Sequence, residues 1–146
     1  RSDQELQPCA IQSGGKVILP VGTINRSFLK AYHYACSLQV KQMEFYHVNT
    51  SAEATAKLKK LYQQMHLDIP LVIEDAPYRN VNEMIVQHVE EAQKNLKKKE
   101  SVTVILPQFV MKKKRFHALH NQTSMQLKLQ LSKKRNVSVV SVPYIM

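Results

Sequence analysis

The residues that could do chemistry are unevenly spread along the 146 positions. His117 and His120 stand three apart, followed by Asn121, Gln122, Thr123 and Ser124, and the basic run Lys112-Lys113-Lys114-Arg115 precedes them. Amide, hydroxyl and imidazole groups beside lysine and arginine suit the recognition of an anion. Tyr78 and Arg79 add an aromatic ring and a guanidinium, a fork that matches phosphate. The plainer alternatives are a surface helix turn for the histidines, an N-cap role for Asn121, and an ion pair with Glu83 for Arg79. A zinc site at His117 and His120 lacks partners, because the last 46 residues hold no cysteine and no carboxylate.

What is missing narrows the field further. The only glycines are Gly14, Gly15 and Gly22, so neither a Walker loop nor a GxGxxG fingerprint can form. No GxSxG elbow exists to strain a serine nucleophile. Cys36 falls on an apolar-periodic helix and reads as core packing rather than a nucleophile. No enzyme is expected, and no cofactor or metal.

Bulk properties agree with a binding domain. A hydrophobic fraction of 44% excludes wholesale disorder, and no apolar run is long enough to cross a bilayer. The formal charge is +10, and residues 101–146 contribute eight Lys or Arg with no Asp or Glu. Such asymmetry points to an anionic partner: a nucleotide, nucleic acid or an inner membrane face. With Cys9 and Cys36 the only cysteines, no disulfide framework is expected and a reducing cytoplasm fits. A chain that opens on Arg1 suggests that the native protein is longer.

Strands and helices alternate. Residues 1–15 are polar, end in Ser13-Gly14-Gly15 and read as a linker. Strands are expected at 16–20, 43–48, 71–73, 102–106 and 137–142. Between them run helices with apolar faces at Phe28, Ala31, Tyr32, Ala35 and Leu38; at Leu58, Leu61 and Met65; and at Ile85, Val89, Ala92 and Leu96. Thr50 with Glu53, and Asn80 with Glu83, mark two helix starts. Lys97-Lys98-Lys99 sits where cations complement a helix C-terminus. A final helix is expected over 123–134.

This order predicts an α/β fold: a five-stranded parallel sheet in flavodoxin-like order 3-2-1-4-5 with helices on both faces. Ligands then bind at the carboxyl ends of the strands, in the crevice between strands one and four. The segments that face it are 20–26 and 107–124, the latter read as an unusually long loop.

The order of elements resembles universal stress proteins, whose glycine-rich nucleotide loop after strand four is missing here. Residues 16–146 are more similar to the C-terminal cytosolic domain of KimA-like, KUP-type potassium importers of the amino acid permease superfamily. The blocks that carry this are Val17-Ile18-Leu19-Pro20-Val21, Ile69-Pro70-Leu71-Val72-Ile73, Pro77-Tyr78-Arg79-Asn80, Val104-Ile105-Leu106-Pro107-Gln108-Phe109-Val110, His120-Asn121-Gln122-Thr123 and Val142-Pro143-Tyr144. Where relatives often show paired tryptophans, this chain has Lys113-Lys114-Arg115-Phe116.

The resemblance implies a cytosolic regulatory domain attached to its own transmembrane domain, dimeric, and binding cyclic di-AMP. Candidate contacts are Gly22, Asn25 and Arg26 after strand one, Tyr78 and Arg79 after strand three, and His117, His120, Asn121, Gln122 and Ser124 at the fourth crossover. The rival readings are a ligand-free dimerisation module and an ATP-binding universal stress protein. Nucleic acid is not the expected partner.

Overall fold

The computed structural model describes residues 15–76, 80–96, 100–110 and 117–145, with the backbone alone at 109, 110 and 117–124. Among these residues the order is β1 (Lys16–Pro20), α1 (Arg26–Ser37), β2 (Gln42–Asn49), α2 (Ala52–Met65), β3 (Leu71–Asp75), α3 (Val81–Lys94), β4 (Val102–Val110), α4 (His117–Ser132) and β5 (Val137–Ile145). The strands form one sheet in the order β3-β2-β1-β4-β5, and every pairing is parallel. The expected fold class is therefore the observed one. All but Gly15 of the expected linker over 1–15, the Lys97–Lys99 run and the Lys112–Arg115 run lie outside the described residues.

Alternation along the strands divides the core in two. Val17, Leu19 and Phe45 point to the face covered by α1 and α2, where Phe28, Ala31, Ala35 and Leu58 meet them. Phe28 packs edge-on against Phe45 with ring centroids 5.0 Å apart. Ile18, Tyr46, Val104 and Leu106 point the other way, under Ile85 and Val89 of α3 and Leu127 and Leu131 of α4.

Helix starts follow side-chain capping. Asn25 accepts from Phe28 N at 2.9 Å, and Asn80 accepts from Asn82 N at 2.8 Å. At α2 the cap is Ser51, not the expected Thr50; its hydroxyl accepts from Ala54 N. His66 ends α2 in the left-handed region, at φ 50°. Cys36 is exposed, contrary to expectation. The buried stripe of α1 runs Phe28, Ala31, Ala35, and position 36 lies a further 100° around the helix.

The fourth crossover also differs from its reading. β4 continues past Leu106 to Val110, and α4 begins at His117 rather than 123. The long loop expected over 107–124 therefore shrinks to the positions between strand and helix. Pro107 ought to end a central strand, because it cannot donate to a ladder. Here the pairing of β4 with β1 has already stopped at Val104, so the missing N–H costs nothing on that side. β5 likewise runs through Pro143, since it is the sheet's edge.

Candidate functional site

A parallel sheet leaves the carboxyl ends of its strands facing the N-termini of the helices that follow. The order of strand addition reverses between β1 and β4, and the crossovers on either side leave to opposite faces of the sheet. Near there the structure has a half-open crevice of about 330 Å³. Pro20, Val21 and Gly22 line it from the end of β1, Tyr46, His47 and Val48 from β2, and Thr50 and Ala54 from the start of α2. Val81 and Ile85 of α3 and Pro107 of β4 close it.

The lining is mostly apolar with a few polar groups, the usual make-up of a small-molecule site. Gly22 leaves room at the mouth: a Cβ added there would meet nothing within 4 Å. Other hollows are more open to solvent. One of about 480 Å³ lies between α3 and α4, lined by Glu83, Glu90 and Lys134 among others. Another of about 490 Å³ lies at the opposite, amino-terminal rim of the sheet, beside Lys16, Lys41 and Asp68.

Two polar networks reach the crevice, one through His47 and one through Tyr46. On the α1–α2 face, His47 is 4% exposed. Its Nδ1 lies 2.7 Å from the Val21 carbonyl oxygen, and its Nε2 lies 2.8 Å from Thr55 Oγ1. Thr55 donates to Asn49 Oδ1, and Asn49 Nδ2 donates to Asp75 Oδ1, each at 2.8 Å.

On the other face, Tyr46 stacks on His88 with centroids 4.1 Å apart and planes 12° from parallel. The Tyr46 hydroxyl donates to Glu74 at 2.5 Å. Burial, reinforced by that carboxylate, pushes the tyrosine hydroxyl well above its ordinary range. His88 Nε2 donates to Glu44, whose other oxygen takes Lys16 Nζ at 2.6 Å. Burial by itself would raise the Glu44 carboxyl, but the bonds from His88 and Lys16 outweigh it and hold the group below the ordinary carboxylate value.

The expected contacts fall as follows. Gly22 lines the crevice. Asn25 spends its side-chain oxygen as the cap of α1, and Arg26 opens that helix, exposed. Tyr78 and Arg79 lie outside the described residues, just before the Asn80 cap of α3. His117, His120, Asn121, Gln122 and Ser124 all stand on the backbone of α4, so Asn121 is within a helix rather than at its cap; their side chains lie outside the described residues.

Sequence reasoning missed Tyr46, His47, Val81 and Ile85 as crevice residues. A hint was available at β2, where Glu44 and His47 interrupt an otherwise buried strand. A polar residue in such a strand needs a partner from elsewhere in the chain.

The fold is that of a parallel α/β domain with a hollow at the carboxyl ends of β1 and β2. The chain belongs to the family described as the KimA potassium transporter C-terminal domain, which it matches over residues 12–144. It is 32% identical over 132 residues to the potassium transporter KimA of Bacillus subtilis (strain 168). That alignment covers 90% of this chain and 22% of the relative, so the chain spans about a fifth of that protein's length. Among the described residues, no helix is long and apolar enough to cross a membrane.

Proposed function

We propose that this chain is the cytoplasmic regulatory domain of a potassium transporter, that it senses cyclic di-AMP as a homodimer, and that it catalyses no reaction. The observation that carries the reading is the crevice at the carboxyl ends of β1 and β2, which Pro107 of β4 borders. Membership of the KimA C-terminal family supports the transporter assignment, and the ion would be handled by a membrane portion outside residues 1–146.

At about 330 Å³ the crevice sits near the lower end of the roughly 300–1,000 Å³ typical of small-molecule sites. That suits one nucleoside-phosphate half of a two-fold dinucleotide, and a two-fold dimer offers the site twice. Val81, Ile85 and Tyr46 supply apolar surface for an adenine, while the backbone at Gly22 and the Thr50 hydroxyl suit phosphate oxygens. Met125 and Leu129 on α4, with Ile145 at the end of edge strand β5, are exposed apolar side chains available to a second copy.

Calorimetric titration of the chain with cyclic di-AMP tests this. Saturable heat at one ligand per two chains supports the reading. Absence of heat up to about millimolar ligand, the range of weak binding, overturns sensing and leaves a dimerisation module. Heat with ATP alone transfers the crevice to a mononucleotide.

A further inference from the structure

The hydrogens in the network below the crevice can be counted. Asp75 ends β3, and its carboxylate only accepts, which orients the Asn49 amide with Nδ2 toward it. Asn49 Oδ1 then faces Thr55, so the threonine hydroxyl must donate its one hydrogen there. With that hydrogen spent, Thr55 can only accept from His47 Nε2. On the other side of the ring, Nδ1 meets the Val21 carbonyl oxygen, which also only accepts. With every bond of the chain kept, both ring nitrogens donate at once, which only the imidazolium does.

We propose that His47 is a proton-operated latch on the crevice: the charged ring ties the end of β1, at Val21, to Thr55 of α2, and the neutral ring leaves one of those two ties unmade. Loss of the Nε2 hydrogen sets two lone pairs face to face, unless Thr55 turns its hydroxyl and abandons Asn49. Loss of the Nδ1 hydrogen does the same against Val21. His47 and Thr55 are 4% and 5% exposed, so water is a poor substitute for the lost partner.

Val21, Gly22, His47 and Ala54 all line the crevice, so its mouth follows the state of the ring. Asp75 on β3 is the charged group that this chain of bonds reaches. Glu53 and Lys57 flank Thr55 on α2, Arg26 and Lys30 lie on α1, and all four are exposed. Among the described residues none of those four forms a salt bridge with the ring. The inference does not depend on which ligand the crevice takes.

The test is ligand-free. Long-range ¹H–¹⁵N spectra of the histidine rings are recorded on the chain between about pH 5 and pH 8, the span in which histidine changes charge. The expected result has both His47 nitrogens protonated at the acidic end, with the backbone amides of Gly22 and Thr55 shifting in step as one nitrogen is lost. Thr55→Val, which removes only the Nε2 partner, is expected to lose the doubly protonated ring at a more acidic pH than the unaltered chain does. Thr55→Ser keeps the hydroxyl and is expected to titrate as the unaltered chain. A single neutral tautomer throughout, or amides that stay still while the ring titrates, overturns the latch, and the unaltered chain alone suffices to show either.

Discussion

Replacing Glu44 by glutamine keeps the side chain's volume and removes its charge. The carboxylate is 7% exposed at the side chain and receives two charge-assisted hydrogen bonds, from His88 Nε2 and from Lys16 Nζ. Each such bond is worth about 1.5–3 kcal/mol. Against this stands the cost of burying a carboxylate, several kcal/mol by itself. Lys16 is 26% exposed and can turn to water once released, so part of the loss is recovered.

The net expectation for Glu44→Gln is a destabilisation of about 2 kcal/mol near neutral pH, or roughly 4–8 °C in Tm for a chain of this size. The sign of its pH dependence follows from the depressed carboxyl. A group whose folded value lies below its unfolded one contributes stability above the unfolded value and loses it as pH falls through the folded value. The gap between the two proteins should therefore close below about pH 4, the ordinary carboxylate range. Urea denaturation at a series of pH values measures it. A constant gap down to strong acid, or no gap at neutrality, refutes the assignment. Glu90→Gln is the comparison: its partner Lys134 is at 2.5 Å, but the Glu90 side chain is 43% exposed, so its loss should cost less than that of Glu44, at most about 1 kcal/mol.

Other substitutions test the packing and the caps. Phe28→Ala, at a side chain 1% exposed, should cost about 3–5 kcal/mol in denaturant unfolding, far more than a surface change. Asn80→Ala removes the cap of α3 and should cost about 1 kcal/mol by the same measurement, with faster amide exchange confined to the first turn.

Much of this architecture was legible in the residues because local rules govern it. The spacing of Phe28, Ala31 and Ala35, the run Val102 to Leu106, and the Asn80 start each act within a few positions. The order of elements pointed to the carboxyl ends of the strands, but the hollow there is lined more by β2 than by β4. What escaped depends on contacts between distant positions. His47 meets Val21 across 26 positions, and His88 meets Glu44 across 44, so no window on the sequence brings them together. Pro107 misled because its meaning depends on whether β1 still pairs beside it, which only the register decides. Cys36 misled because one step round α1 separates the buried stripe from solvent.

Whether the crevice is where a nucleotide binds can be asked at Gly22, where an added side chain meets open space rather than backbone. Gly22→Leu should therefore fill the mouth while Tm stays within a few degrees of the unaltered chain. Cyclic di-AMP followed by amide chemical shifts should perturb Val21, Gly22 and Val81 in the unaltered chain and bind at least about tenfold more weakly, ~1.4 kcal/mol, to the variant. Equal affinity in both proteins, or shifts gathered at Lys16, Lys41 and Asp68 on the opposite rim, would contradict the account.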